Sequence, residues 1–244
     1  MRLVINGDDL GYTMGNTNGI FQAYRDGILR STTALTNSKY IVEAAKMCED
    51  YPGLGVGVHM TLTLGRPLTE NKTLHDENGE FYPGRKMIWT KNPDYNEIYQ
   101  EWKAQIDRCI EVFGKKPTHL DSHHSVHDAT PEALKIAKDL AQEYGLQLRR
   151  YSEFTFIGSL YGPNFTRENL IQTLEDHKDE DIEIMCHPGW CDLELYRMSS
   201  YGAGRVQELD VLCSKEVLDY VKEHQIELCH YCFMRKSFAE NRND

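Results

Sequence analysis

The regular exchange of short strand-like stretches and amphipathic helical ones limits the folds open to this chain more than any other feature of its sequence. Leu3 to Asn6 is a compact apolar run, and Ile20, Phe21 and Tyr24 form a stripe that predicts a helix over Asn18 to Arg25 stopped by Gly27. Thr-rich Ser31 to Thr36 reads as a strand, and Ile41, Ala44, Ala45 and Cys48 recur at helical spacing until Tyr51-Pro52-Gly53 breaks the pattern. Leu54 to Leu64 alternates glycine with apolar residues, as in a strand that admits close approach of a neighbour. Tyr95 to Phe113 carries the clearest helical stripe, through Ile98, Trp102, Ile106, Cys109, Ile110 and Phe113. A strand follows from Thr118. Thr130-Pro131 opens a helix that runs to Gly145. Further strands are expected at Leu146 to Arg149, Asp181 to Cys186 and Ile226 to Cys229, with helices begun at Thr166 and covering Lys215 to His224. About seven strands alternating with helices specify an α/β chain with a parallel sheet, closed or nearly closed as one barrel domain over residues 1–244. Residues 65–93, 151–165 and 189–205 show no sustained period and are read as loops that border a site.

In such barrels the chemistry gathers where strands end and the following loops begin. Asp8 and Asp9, His59, His123 and His124, Arg149 and His187 all fall at the C-terminal ends of expected strands. The densest run is Thr118 to His127, which holds His119, His123, His124 and His127. One aspartate with two histidines makes a ligand set that leaves positions open for water and substrate, the pattern of a catalytic rather than a structural metal. On that reading Asp9, His59 and His123 converge, the spare Asp8 is a general base, and His187 protonates a leaving nitrogen. The reaction class is metal-assisted amide or ester hydrolysis. Each residue also has a plainer explanation. The paired aspartates suit a turn or helix cap, and His59 suits a satisfied strand end. Arg149 suits an orienting carboxylate, a substrate phosphate or an exposed salt bridge, while His124 and His127 suit substrate contact or support of a ligand. Trp190, Tyr151 and Tyr161 suit stacking on a sugar or ordinary packing.

Charge narrows the partners. With Lys plus Arg at 27 and Asp plus Glu at 38, the net charge of −11 leaves no basic face for a nucleic acid. No apolar run of about 18 residues marks a membrane span, and the first residues carry no apolar leader, so a cytoplasmic protein is expected. Seven scattered cysteines, an odd number, read as reduced thiols. Cys229-His230-Tyr231-Cys232 has no second pair at zinc-ribbon spacing and is not expected to hold metal.

Four ordered motifs, Asn6-Gly7-Asp8-Asp9-Leu10-Gly11, Gly57-Val58-His59-Met60-Thr61-Leu62-Thr63, Lys116 to His127 and Met185-Cys186-His187-Pro188, resemble the signatures of the YdjC-like carbohydrate deacetylases. Ser31 to Leu35 and Glu208 to Leu212 extend the match over nearly the whole chain. The resemblance implies a distorted (β/α) barrel and one divalent metal ion, magnesium in that family, on Asp9, His59 and His123. It implies Asp8 as base and His187 as acid, and removal of an acetyl group from diacetylchitobiose or its 6-phosphate. Arg149, His124 and His127 are carried as substrate-binding candidates, and a homodimer is the ordinary expectation for such an enzyme. Ligand chemistry alone favours zinc, manganese, iron or cobalt over magnesium. Two departures stand out: Ser125 replaces the third of three consecutive histidines, and Gly7 stands where alanine is common. The competing readings are a metal phosphoesterase, whose usual His-x-His after the first strand is missing, a metal-free glycosidase using Asp8, and a sugar- or metal-binding protein that releases no acetate.

Overall fold

The computed structural model describes residues 1–231. In chain order its elements are β1 (Arg2–Leu10), α1 (Met14–Asp26), β2 (Ser31–Ala34), α2 (Ile41–Cys48), β3 (Gly55–Met60), α3 (Met87–Thr90), α4 (Tyr95–Phe113) and β4 (His119–Ser122), then α5 (Pro131–Tyr144), β5 (Gln147–Leu148), β6 (Thr155–Ile157), α6 (Arg167–Asp176), β7 (Ile182–Cys186), α7 (Leu193–Met198), α8 (Gly202–Leu212), α9 (Lys215–Glu223) and β8 (Glu227–Leu228). Every pairing between these strands is parallel, in the order β5-β4-β3-β2-β1-β7-β6, and β8 joins the start of β1. The sheet curls into the incomplete barrel that the alternation implies. At its seam β5 and β6 do not pair, and side chains fill the gap. The Arg149 guanidinium lies 5.6 Å from the Phe156 ring, Gln147 Nε2 donates to the Tyr231 carbonyl, and Tyr231 stacks on His119 with centroids 3.8 Å apart.

Strand alternation explains how one sheet serves both core and site. Leu3, Ile5, Ile182 and Ile184 pack outward into an apolar layer with Phe21 of α1, Leu174 of α6 and Val217 of α9. Val58, Met60 and Leu120 pack with Trp102 and Ile106 of α4 and Leu140 of α5. The intervening residues of the same strands, Asn6, Asp8, Thr33, His59, Asp121 and Glu183, meet on the inner face as a buried polar set. Gly57 faces inward as well, and a Cβ there would lie 2.5 Å from the His119 ring and 2.8 Å from its carbonyl oxygen.

Helices α4 and α5 are capped at both ends, and Thr130 and Gly145 are the bounds expected for α5. Asp94 accepts from Asn96 N and Gly114 ends α4 at φ 62°, while Thr130 accepts from Ala133 N and Gly145 ends α5 at φ 59°. Three stretches differ from expectation. Helix α1 begins at Met14 rather than near Asn18, because Thr13 accepts from Asn16 N and sets the start. The stretch read as loop 151–165 contains β6. The stretch read as loop 189–205 contains α7 and the start of α8, whose apolar stripe is interrupted by Arg205 and Glu208, both buried. Residues 65–93 are mostly irregular yet tied down. Glu101 of α4 accepts from the amides of Leu68 and Thr69, and Glu97 one turn earlier accepts from those of Lys72 and Thr73. Those bonds fix the segment that brings Pro83 to Arg85 to the rim of the cleft. Among the described residues no helix is long and apolar enough to cross a membrane. The six described cysteines are unpaired; Cys232, second of the C-x-x-C, lies outside the described residues.

Candidate active site

A cleft of about 630 Å³ opens over the C-terminal ends of the strands. The two acids of its floor enter by an irregularity in β1. Gly7 pairs with Thr32 but Leu10 pairs with Ala34, so β1 carries one extra residue there, and Asp9 takes the left-handed conformation at φ 73°. Regular alternation would send neighbouring side chains to opposite faces; the bulge lets Asp8 and Asp9 both line the cleft. The left-handed region is thinly populated by residues other than glycine, though aspartate enters it more readily than most, and such strain concentrates at functional sites.

Asp9 Oδ1 lies 3.2 Å from His59 Nε2 and 2.9 Å from His123 Nδ1, and the three donor atoms fall within 4.8 Å of one another. They come from β1, β3 and the 3-10 turn that follows β4. The far nitrogen of His59, Nδ1, is 3.0 Å from Asp121 Oδ2 and 3.1 Å from Thr33 Oγ1. That contact turns Nε2 toward Asp9, the usual way a carboxylate orients a metal-ligating imidazole. Arg205 holds the other Asp9 oxygen at 2.6 Å. Burial opposes charge on Asp9, but His123 and Arg205 outweigh it and hold the carboxyl well below its ordinary range. Burial likewise works against protonation of His59, yet the carboxylates of Asp121, Asp9 and Asp8 push it up to about 10. The surroundings therefore call for added positive charge where the three donors meet, and this donor set fits a divalent ion.

Beside that point Asp8 is gripped by Arg149, whose Nη1 and Nη2 each lie 2.8 Å from one carboxylate oxygen, and Asn6 Nδ2 adds a third donor at 2.8 Å. His187 stands across the cleft with Nε2 3.9 Å from Asp8 Oδ2. Its backbone N–H donates to Glu208 of α8, its Nδ1 lies 3.9 Å from the same carboxylate, and Tyr201 donates to the other Glu208 oxygen. Burial pushes His187 down to about 4 and Glu208 up to about 7. The His187 loop is seated on α1 by bare backbone. A Cβ on Gly19 would lie 2.4 Å from Gly189 Cα.

One wall is aromatic. Tyr161, 47% exposed, stacks on Tyr201 at 4.8 Å, and both meet the His187 ring edge-on. His124, in left-handed conformation like Ser125, is bonded through Nδ1 to Thr63 Oγ1 and lines the cleft. Burial, then His123, pushes it down to about 4. Two residues expected to touch substrate lie elsewhere. Arg149 is 2% exposed and spent on Asp8, Asp121 and Glu183, so it has no face toward a ligand. His127 is buried behind the strand end with Nδ1 2.6 Å from Ser122 Oγ. Neither lines the cleft. Trp190 donates to Gln22 and Tyr151 covers Lys138, also away from it. Asp121, Arg205 and Glu208 also serve the site, without a role that the sequence alone assigns them. Asp121 was visible in the His-rich run and Glu208 within a quoted motif, but only the folded sheet brings them to the site.

A family model described as YdjC-like protein matches residues 2–223. The chain is 35% identical to a carbohydrate deacetylase of Clostridium beijerinckii, covering 95% of this chain and 99% of that one. It is 39% identical to a chitooligosaccharide deacetylase of Yersinia pestis, covering 87% and 90%. Its backbone is similar to the crystal structure of an Enterococcus faecalis V583 protein whose suggested role is cellobiose-phosphate cleavage (TM-score 0.88, 34% identity, 94% and 97% covered). A Streptococcus mutans CE4 esterase shares the fold alone, with TM-score 0.54, 12% identity, and 93% and 84% covered.

Proposed function

The chain belongs to the YdjC-like protein family, and from that premise we propose that it is a carbohydrate deacetylase that hydrolyses the N-acetyl amide of a small chitooligosaccharide, diacetylchitobiose or its 6-phosphate. The observation that carries the reading is the meeting of Asp9, His59 and His123 from separate regions of the chain, with Asp8 on one side and His187 on the other. Those three residues would hold a divalent ion. An ion held there would supply polarisation of the acetyl carbonyl and a more acidic bound water. Zinc, manganese, iron or cobalt suits two imidazoles and a carboxylate; magnesium is the ion that the family resemblance implies.

Asp8 takes the proton of the attacking water, its oxygens aimed by Arg149 and Asn6. The proton taken by Asp8 passes to His187, neutral at rest and with Nε2 3.9 Å from Asp8 Oδ2, and from it to the departing sugar nitrogen as the carbon–nitrogen bond breaks. Without that proton the amine is a poor leaving group. Glu208 offsets the positive charge on the imidazole while it holds the proton. Tyr161, stacked on Tyr201, offers a flat face to the sugar ring, and His124 offers a neutral nitrogen to a hydroxyl. Among the described residues the six cysteines are unpaired, which suits a reducing compartment and the cytoplasmic site of action we propose.

The direct test is release of acetate from diacetylchitobiose, its 6-phosphate and N-acetylglucosamine, with and without a chelator. Acetate from a disaccharide that disappears on chelation and returns with added metal supports the reading. Cleavage of the glycosidic bond or of a phosphate ester instead would refute it. A pH profile tests the role of Glu208. Since burial raises this carboxyl to about 7, its charged form is lost as pH falls through neutrality, and kcat/KM is expected to rise through a limb near pH 7. Glu208→Gln is expected to remove that limb and lower kcat by about tenfold or more. An unchanged limb in the variant would assign it to another group.

A further inference from the structure

Two sets of potential metal ligands share His59. One is Asp9, His59 and His123; the other is Asp8, His59 and Asp121, with the ligand atoms in each within 4.8 Å of one another. The imidazole turns Nε2 toward Asp9 and Nδ1 toward Asp121, and as a neutral ring it ligates through one nitrogen only, so the second set rests on its carboxylates. The second set already contains a cation. Arg149 Nη1 lies 2.8 Å from Asp8 Oδ2 and 2.5 Å from Asp121 Oδ2, and its Nε lies 2.7 Å from Glu183 Oε1. Glu183 brings a third buried carboxylate to the same guanidinium, so three acids share one cation.

We propose that Arg149 is a positioning residue that keeps the site mononuclear, its guanidinium standing where a second divalent ion would otherwise bind between Asp8 and Asp121. The proposal rests on the assignment of Asp9, His59 and His123 as metal ligands. Asp8, Asp121 and Glu183 together form an oxygen donor set for a divalent ion without calling on His59, whose Nε2 belongs to the first site. A dipositive ion there would tie the Asp8 lone pairs into coordination and remove them from proton transfer. A guanidinium orients the same oxygens through hydrogen bonds at half the charge. Because arginine stays protonated at any working pH, the exclusion does not depend on metal supply or acidity.

The test uses the purified full-length protein, Mn²⁺ as probe and elemental analysis after removal of free ion. The wild type is expected to hold one Mn²⁺ per chain even at large excess, and Arg149→Ala and Arg149→Gln two. Guanidinium salt at non-denaturing concentration should return the variants to one, a change that a merely structural role would not produce. Circular dichroism establishes folding. A folded variant with only one ion at saturation, or a wild type with two, would overturn the proposal. So would variants that fail to fold even at saturating Mn²⁺, since an ion is meant to replace the lost charge. A wild type that binds no Mn²⁺ overturns the ligand assignment and the proposal with it.

Discussion

Asp9→Asn is expected to lower acetate release by about 10³-fold or more and to empty the protein of metal. The magnitude follows from the several kcal/mol of charge stabilisation that a bound divalent ion contributes, at roughly 1.4 kcal/mol per factor of ten. Asp9 is the anionic member of its ligand set, and its second oxygen is held by Arg205 at 2.6 Å. An amide in its place supplies a weaker ligand and no charge for Arg205 to meet. Metal content by elemental analysis and activity should fall together while circular dichroism stays native. Retention of one ion per chain in the variant would move the ligand set elsewhere. The same site predicts how loading depends on pH. Without metal, His59 holds its proton up to about pH 10, because the surrounding carboxylates outweigh burial. Its charged form contributes stability that is full below the unfolded value of 6.5 and lost as pH rises through about 10. A metal ligand must be neutral, so loading expels that proton and affinity rises with pH. Calorimetry in two buffers of different ionisation enthalpy reads the protons released.

Asp8→Asn separates base from ligand. It is expected to lower kcat by about 10²- to 10⁴-fold, the usual range for loss of a general base, with metal content unchanged. The asparagine oxygen can still accept from Arg149, whose hydrogen bonds to Asp121 and Glu183 are untouched, so the frame should survive. KM should move little, since Asp8 acts on water rather than on the sugar. A variant that lost its metal would show Asp8 to be a ligand instead, and one with near-normal kcat would leave the water proton to another acceptor.

Much of this was legible before folding because strand ends collect chemistry. Asp8, Asp9, His59, His123 and His187 were named from their places after apolar runs, and the structure brings all five to one cleft. Legibility failed where burial overrules composition. Arg149, open in sequence between an orienting carboxylate, a substrate phosphate and an exposed salt bridge, is enclosed here by three carboxylates from β1, β4 and β7, and none of these pairings is local in sequence. His127 failed for a related reason, since the 3-10 turn after β4 sends His123 and His124 into the cleft and turns His127 back onto Ser122. Helix α8 was hidden because the charged residues it buries for the site, Arg205 and Glu208, break the apolar period by which helices are recognised. β6 is three residues long, too short to establish alternation.

The extra residue in β1 limits what can be transplanted. Grafting Asn-Gly-Asp-Asp onto a regular strand of another scaffold would present one acid to the cavity and turn its neighbour into the helical layer. Trimming a single residue from this stretch would do the same to the native protein, and would displace everything downstream by half a pleat. Sequence matching alone would score such a chimera as intact, although one member of its acid pair would face grease.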